Sequence, residues 1–235
     1  MMIFTELFNQ LTSEELENYH KSVFMNMEGE AAEKARCLYY KQALRSMGEN
    51  VKIGRSVTII NPQYISIGAN VTIHDNCTLI AKGEAGISLD DNVTLKDRVY
   101  LDTESGDGYI KIGKAVYIGA GCTLHGHMGL EIMDDCLLAQ NITITPYSHI
   151  SDDCTRLIKD QGGHSRKVTI EKDCYIGMCC CILYGADIHE GSVVGSGSVV
   201  VRSIPPYSIA VGVPAKVIRK RGAKHSSTTE KTALE

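Results

Sequence analysis

The sequence predicts an all-β fold in which short parallel strands wind into a stacked coil behind a short helical segment. Three observations predict it. An aliphatic residue returns every six positions over long runs, the residue four positions later is usually small or apolar, and glycine often follows the aliphatic residue directly. A period of six fits neither a helix nor a simple alternating strand, but it fits a short strand followed by a tight corner.

The aliphatic member of the repeat is Ile, Leu or Val at every position. Three repeats are expected to close one triangular coil, and coils stack because a single repeat cannot bury its own apolar face. The aliphatic positions are Ile53, Ile59, Ile67, Ile73, Leu79, Leu89, Leu95, Leu101, Ile112, Ile118, Leu124, Ile132, Leu138, Ile144, Ile170, Ile176, Ile182, Ile188, Val194 and Val200.

Insertions interrupt the repeat, and sorting the repeats in threes puts each insertion after the third strand of a coil. All of them therefore leave the same edge of the predicted prism, and loops on a rigid scaffold are where function is usually found. The longest is predicted as a polar loop at 146–167. The insertions lie between 59 and 67, 79 and 89, 101 and 112, 124 and 132, and 144 and 170.

This sorting brings three histidines to one edge. His125 and His127 follow the third strand of one coil, and His149 follows the third strand of the next. Paired strands lie about 4.8 Å apart, so we expect the three side chains to share one cleft.

The segments flanking the repeat have a different character. At 1–50 the sequence predicts helices, with Ser13 as a cap before Glu14 and Glu15, and with a second helix from Gly29 to Met47. The β-helix is predicted at 51–204 and a C-terminal segment at 205–222. The tail at 223–235 has little to bury, so we expect it to be disordered.

The composition excludes several classes of protein. A net charge of -4 and a single short basic run argue against a nucleic-acid partner. No apolar stretch approaches the roughly 18 residues that a membrane span needs, and the first ten residues lack the basic start of a signal peptide. The nine cysteines include no CxxC pair. We therefore expect a cytoplasmic protein with reduced cysteines that serve as small apolar residues.

Four segments carry a resemblance to a known family: 138–149 (LAQNITITPYSH), 175–178 (YIGM), 195–198 (GSGS) and 204–219 (IPPYSIAVGVPAKVIR). With them, the region from about 50 to 220 resembles the hexapeptide-repeat O-acetyltransferases that modify sugars, including the galactoside, maltose and surface-polysaccharide enzymes. The resemblance implies a left-handed parallel β-helix, a homotrimer with active sites in clefts between subunits, and transfer of acetyl from acetyl-CoA to a carbohydrate hydroxyl.

The same resemblance implies roles for residues on the acceptor side. His149 matches the catalytic base, and an imidazole that titrates near neutral pH suits removal of a hydroxyl proton. His125 and His127 lie where related enzymes contact the acceptor. Tyr175 stands where relatives commonly have tryptophan, so it is expected to offer a stacking surface for the acceptor.

On the donor side, the resemblance assigns four residues to acetyl-CoA. Met178 and Ser196 match positions that line the pantetheine channel. Lys216 and Arg219 match basic residues that meet the nucleotide phosphates, for which cations are suited. No metal is expected at the site.

Two alternative functions use the same scaffold. One is a zinc enzyme resembling the γ-class carbonic anhydrases, which needs converging histidines. That family has two histidines five apart plus one upstream, whereas His125 and His127 are two apart. The other is a non-catalytic β-helix kept for assembly, and His149 together with the 204–219 segment argues against it.

Overall fold

Three parallel sheets, which we name A, B and C, form the faces of a triangular prism in the computed structural model, which describes residues 11–222. The chain visits them in the order A, B, C and then returns to A. Sheet C contributes seven strands, one for each coil, so the protein is a left-handed parallel β-helix of about seven turns.

The strands are two or three residues long except at the C-terminal end. Sheet A contains β1 (Ser46–Met47), β4 (Ile65–Ile67), β7 (Ile87–Leu89), β10 (Ile110–Ile112), β13 (Leu130–Ile132) and β18 (Val168–Ile170). Sheet B contains β2 (Lys52–Ile53), β5 (Thr72–Ile73), β8 (Thr94–Leu95), β11 (Tyr117–Ile118), β14 (Leu137–Leu138), β19 (Tyr175–Ile176), β21 (Val193–Val194), β23 (Ser208–Gly212) and β24 (Ala215–Lys220). Sheet C contains β3 (Thr58–Ile60), β6 (Thr78–Ile80), β9 (Tyr100–Asp102), β12 (Thr123–His125), β15 (Thr143–Ile144), β20 (Cys181–Ile182) and β22 (Val199–Val200).

The core is the column of side chains that the six-residue repeat points inward. Every predicted aliphatic position is buried except Ile59, which is half-buried. Ile59 lies on β3, the end strand of sheet C, so no coil covers it on one side. Between the aliphatic columns lie small residues, including the buried Cys77, Cys122 and Cys136, and all nine cysteines are free.

Asparagine supplies the left-handed backbone that many corners require. Asn70, Asn76, Asn92 and Asn141 have φ between 56° and 61°, in the region where asparagine is the most tolerant residue after glycine. Backbone hydrogen bonds join these corners in neighbouring coils, as where the N–H of Asn92 donates to the carbonyl of Ala69 at 2.9 Å.

Helices precede the prism, with two differences from prediction. Helix α1 is Ser13–Tyr19, and a π-helical turn at His20–Phe24 follows it. Its cap is Thr12 and not the predicted Ser13, because the Thr12 hydroxyl and the Glu15 carboxylate form a reciprocal capping box. Helix α2 is Glu30–Ala43 and ends before the predicted Met47, since Ser46–Met47 pairs with β4 in sheet A.

Helix α2 closes the open end of the first coil. The buried Arg36 donates from Nε to the carbonyl of Ile53 at 2.9 Å and from Nη1 to the carbonyl of Met27 at 2.9 Å. The Tyr40 hydroxyl donates to the carbonyl of Val57 at 3.0 Å. The bonds to Ile53 and Val57 satisfy carbonyls at the end of the prism, as buried polar groups require.

The strands extend beyond the predicted limits of the β-helix at both ends. β1 lies within the predicted helical segment, and β23 and β24 lie within the C-terminal segment, where they form an antiparallel pair on sheet B. The predicted disordered tail at 223–235 and the first ten residues lie outside the described residues. Within the described part of the chain, no helix is both long enough and apolar enough to cross a bilayer.

Candidate active site

The five insertions leave the prism where the chain passes from sheet C to the next strand of sheet A, and we name this corner the C–A edge. It is the edge that the sequence predicts for them. The insertion after β15 is the longest, and it contains an antiparallel hairpin of β16 (Tyr147–His149) and β17 (Gly163–Ser165). A short 3-10 turn at Ile158–Asp160 lies in the connection between these strands.

His149 lies at the end of β16, directly opposite Gly163 on β17. Its side chain is exposed. The hairpin is held beyond this point by a hydrogen bond from the N–H of Ile150 to the carbonyl of Gly162 at 3.1 Å. The predicted base is therefore presented to solvent on paired backbone rather than on an irregular loop.

His125 is the last residue of β12 and His127 lies two residues beyond it, one coil before His149. β12 pairs with β15, which places Leu124 beside Ile144. The Nδ1 atom of His125 lies 2.6 Å from Oε1 of Glu104, but at an angle that does not form a hydrogen bond. The contact is therefore an ion pair when the imidazole is protonated.

Three rings connect the two coils. The ring of His127 stacks on Tyr147 with centroids 4.7 Å apart and planes 15° apart. Tyr147 in turn meets His149 edge to face, with centroids 4.9 Å apart and planes 87° apart. The three histidines therefore lie close together at one edge, and Tyr147, a residue that the sequence analysis did not select, lies between His127 and His149.

Burial lowers the pKa of His127, and the neighbouring His125 and His149 lower it further, whereas Glu104 and Asp102 act in the opposite direction. His127 is therefore neutral at neutral pH. Its Nδ1 atom is buried and lacks a hydrogen-bond partner among the described residues. The Nδ1 atoms of His20 and His125 share this property, and an unpaired buried polar atom costs about 1–3 kcal/mol.

Two carboxylates, Asp102 and Glu104, lie one coil before His125 and His127 in the stack. The sequence analysis did not select them. Asp102 pairs in register with His125, is 4% exposed, and accepts hydrogen bonds from the Tyr100 hydroxyl at 2.9 Å and from the N–H of Glu104 at 2.8 Å. Glu104 has φ of 63°, a left-handed conformation unusual for glutamate. The repeat could have indicated them, because 102 and 104 stand one and three residues after Leu101, as 125 and 127 stand after Leu124.

Tyr175 does not lie with the histidines. It is on β19 in sheet B, where its exposed side chain points outward between Leu137 and Val193 of neighbouring coils. Within one chain, the predicted acceptor residues are therefore divided between sheet B and the C–A edge.

The predicted pantetheine residues lie at the corner between sheets B and C. Met178 and Ser196 occupy equivalent positions in successive coils, and both are exposed. The coils approach closely here, since a β-carbon on Gly177 would lie 2.5 Å from the backbone nitrogen of Ser196. The N–H of Gly197 donates to the carbonyl of Met178 at 2.8 Å.

The predicted phosphate-binding residues lie on β24, the last strand of sheet B. Lys216 is opposite Val211 and Arg219 is opposite Ile209. Lys216 is exposed and Arg219 is half-buried. The four donor-side residues thus lie on sheet B or its border with sheet C, away from His149.

The alternative of a zinc enzyme requires converging ligand side chains. Among residues 11–222, no group of three or more His, Cys, Asp or Glu side chains is placed to hold a metal ion. The ring of His127 contacts Tyr147 at 4.7 Å and His125 at 6.1 Å between centroids.

Comparison with known proteins identifies relatives across most of the prism. The family model for the hexapeptide repeat of succinyl-transferase matches residues 109–146 and 167–202. A probable acetyltransferase of Mycobacterium tuberculosis is 35% identical over 165 residues, which cover 69% of this chain and 52% of the relative. The chain thus spans about half the length of that protein. A putative acetyltransferase of Saccharomyces cerevisiae, YJL218W, is 35% identical over 60% of this chain and 70% of its own length.

Two further similar proteins are acyltransferases. The dTDP-4-amino-4,6-dideoxy-D-glucose acyltransferase of Escherichia coli is 29% identical over 78% of this chain and 86% of its own length. Among solved structures, a mutant of AntD, an N-acyltransferase from Bacillus cereus in complex with dTDP and coenzyme A, has a TM-score of 0.57 at 25% identity, covering 80% of this chain and 90% of that one.

Proposed function

The chain belongs to the hexapeptide-repeat acetyltransferase family, and from that premise we propose that it transfers an acetyl group from acetyl-CoA to a hydroxyl of a carbohydrate. The observation that carries the proposal is the position of His149, exposed on a hairpin strand of the C–A edge beside the ring of Tyr147. It is the same histidine that the match to the sugar O-acetyltransferases selects.

In the proposed reaction, a nitrogen of His149 removes the proton of the acceptor hydroxyl. The oxygen attacks the thioester carbonyl carbon, so that a C–O bond forms and the tetrahedral intermediate carries a negative oxygen. The intermediate then collapses, the C–S bond breaks, and the imidazolium returns the proton to the CoA thiolate. General-base assistance of this kind contributes about 10²–10⁴-fold to a rate.

The proposed donor site comprises Met178, Ser196, Lys216 and Arg219. The coils stack closely at Gly177, and the exposed Met178 and Ser196 beside it border the surface along which the pantetheine arm would lie. Lys216 and Arg219 provide cations for the phosphates in a protein whose net charge is -4.

We further propose that the active site forms between subunits of a homotrimer. The outward side chains of the later strands of sheet B form one apolar column, which we name the B stripe: Tyr117, Leu137, Tyr175, Val193 and Ile209. The corresponding positions of sheet A are polar, including Ser66, Ser88 and Lys111. An exposed apolar column on one face of a prism is typical of a protein contact.

The opposite placement of the two half-sites supports a head-to-tail contact. The C–A edge lies across the prism from sheet B, so a subunit that packs its C–A edge near a neighbour's sheet B brings His149 towards that neighbour's donor residues. Heterologous contacts form a ring, such as a trimer, when the rotation between subunits closes.

A second candidate is transfer to the amino group of a nucleotide-linked sugar. It is favoured by the Escherichia coli relative, whose named substrate carries an amine and of which the match covers 86%. The carboxylates Asp102 and Glu104, one coil below the histidines, would suit an ammonium group. The two candidates share the donor and the base, and they differ in the acceptor atom.

The test is acetyl transfer by the wild type and by His149→Ala, measured as CoA release with a galactoside, maltose and dTDP-4-amino-4,6-dideoxyglucose as acceptors. We expect the variant to lose about 10²–10⁴-fold in kcat/KM because the general base is gone. The bond formed distinguishes the two candidates: treatment with hydroxylamine removes the acetyl group from an ester but not from an amide, and mass spectrometry detects that loss.

The control is CoA binding. A ligand that binds only the folded state raises the unfolding midpoint, so CoA should raise it equally in both proteins. Full activity in His149→Ala would refute the assignment of the base, and the absence of any CoA-dependent shift in the wild type would refute the proposed donor.

A further inference from the structure

The ring of Tyr147 lies beside the imidazole of His149. The histidine side chain is exposed, and the contact that the structure gives it is the edge-to-face contact with Tyr147. Tyr147 and His149 are two residues apart on one strand, so their side chains leave the same face of the hairpin. An exposed imidazole without such a neighbour would rotate among several rotamers.

Tyr147 is itself held from two sides. The ring of His127, from the preceding coil, stacks on it with the two ring centroids 4.7 Å apart. Beside it lies Gly163 on β17, where a β-carbon would overlap the hydroxyl and ring of Tyr147. The tyrosine ring therefore occupies the space that any side chain at 163 would need, and Gly163 has no positive φ that would otherwise call for glycine.

We propose that Tyr147 is a positioning residue that holds the imidazole of His149 in its reactive orientation. The ring of His127 supports Tyr147 by stacking on it, and Gly163 leaves room for the tyrosine because it has no side chain. This inference rests on the proposed function of His149. It also gives His127 a structural role, beneath the ring that orients the base, in addition to the predicted contact with the acceptor.

The proposal has a physical basis in the sensitivity of proton transfer to geometry. A misplacement of about 1 Å at a reacting group can cost on the order of 10²-fold in rate. Because the tyrosine does not touch the reacting atoms, its loss should lower kcat and leave the binding of CoA unchanged.

The test compares four single variants in the CoA-release assay with the acceptor that the wild type uses. Tyr147→Leu removes the ring, and Gly163→Ala displaces it while leaving it in the chain. We expect each to lower kcat about 10- to 100-fold, with KM for acetyl-CoA unchanged. Tyr147→Phe keeps the ring and should retain near wild-type kcat. Tyr184→Leu is the matched control, because the ring of Tyr184 contacts that of His164 on the same edge, with centroids 6.3 Å apart. This substitution should leave kcat unchanged.

A double variant separates positioning from general damage. In a His149→Ala background there is no base to orient, so adding Tyr147→Leu should lower the residual rate less than twofold. A further loss of tenfold or more there, or a wild-type kcat in the Tyr147→Leu single variant, would overturn the proposal. Full activity of His149→Ala alone would instead refute the proposed function, so the two failures are distinguishable.

Discussion

At the scale of single residues, the protein places its titratable side chains in contrasting surroundings. His149 is exposed on its hairpin, whereas His127 is packed against an aromatic ring and has a lowered pKa. His20 is 3% exposed, stacks on Tyr39 with centroids 4.1 Å apart, and lies 3.1 Å from the Tyr40 hydroxyl. The same residue type therefore serves as a proposed base, a support and a core residue, according to its neighbours.

The burial of His20 predicts a pH dependence of stability. Burial, assisted by the charges of Arg36 and Lys21, lowers the pKa of His20 to about 4. In the unfolded chain the pKa is about 6.5. As pH falls from 6.5 to 4 the unfolded state binds the proton first, so the free energy of unfolding should decrease by about 3 kcal/mol, and above pH 6.5 this contribution is constant.

The measurement is denaturant unfolding between pH 4 and pH 8 for the wild type and for His20→Phe, which cannot titrate. The variant should show a shallower loss of stability below pH 6.5. Equal slopes in wild type and His20→Phe would contradict the prediction.

At the scale of elements, the corner is as important as the strand. Strands of two or three residues have little stability alone, and each depends on a corner that returns the chain to the next sheet. The left-handed residues at these corners are often asparagine or glycine, but Ala115 and Cys179 also adopt positive φ, at 54° and 58°. Stacking between coils therefore imposes the conformation even where the residue does not favour it.

This conformation predicts opposite outcomes for two substitutions at one corner. Asn92 has φ of 61°. Asn92→Gly should change the free energy of unfolding by a few tenths of a kcal/mol, because glycine adopts this region freely. Asn92→Val should cost about 1–2 kcal/mol, since a β-branched residue is strained there. Urea unfolding compares the two, and equal stability of both variants would contradict this account of the corner.

At the scale of the whole molecule, the outward residues of sheet B change from polar to apolar along the stack of coils. The B stripe is apolar, whereas the outward positions of the first strands of the same sheet are Lys52, Thr72 and Thr94. Leu137 is 45% exposed and Tyr175 is 38% exposed in the single subunit. A subunit contact would remove this surface from water, at about 25 cal/mol for each Å² of apolar area.

The B stripe predicts the effect of one charge on assembly. Leu137→Glu places a carboxylate in the middle of the proposed contact, where its desolvation is unfavourable. We expect size-exclusion chromatography with light scattering to find a trimer for the wild type and mainly monomers for the variant. Ser88→Glu, an equally exposed change on sheet A, should remain trimeric. A trimeric Leu137→Glu would place the contact elsewhere.

The six-residue period determined the architecture from the sequence alone. Because an inward aliphatic residue is needed once per face, the period indicates the coil, the sorting into three sheets and the common edge of the insertions, and the structure confirms each of them. His125, His127 and His149 could be assigned to one edge for the same reason. The roles proposed for the predicted site residues stay predictions until the variants are measured.

The tertiary structure alone decided what lies between those residues. The cap at Thr12, the end of α2 at Ala43 and the hairpin within 146–167 depend on hydrogen bonds whose partners no period indicates. The placement of Tyr147 against His149 depends on the stack with His127 and the space at Gly163. The physical reason is that periodicity reports which side chains face inward, whereas orientation at an exposed edge is set by contacts between segments distant in sequence.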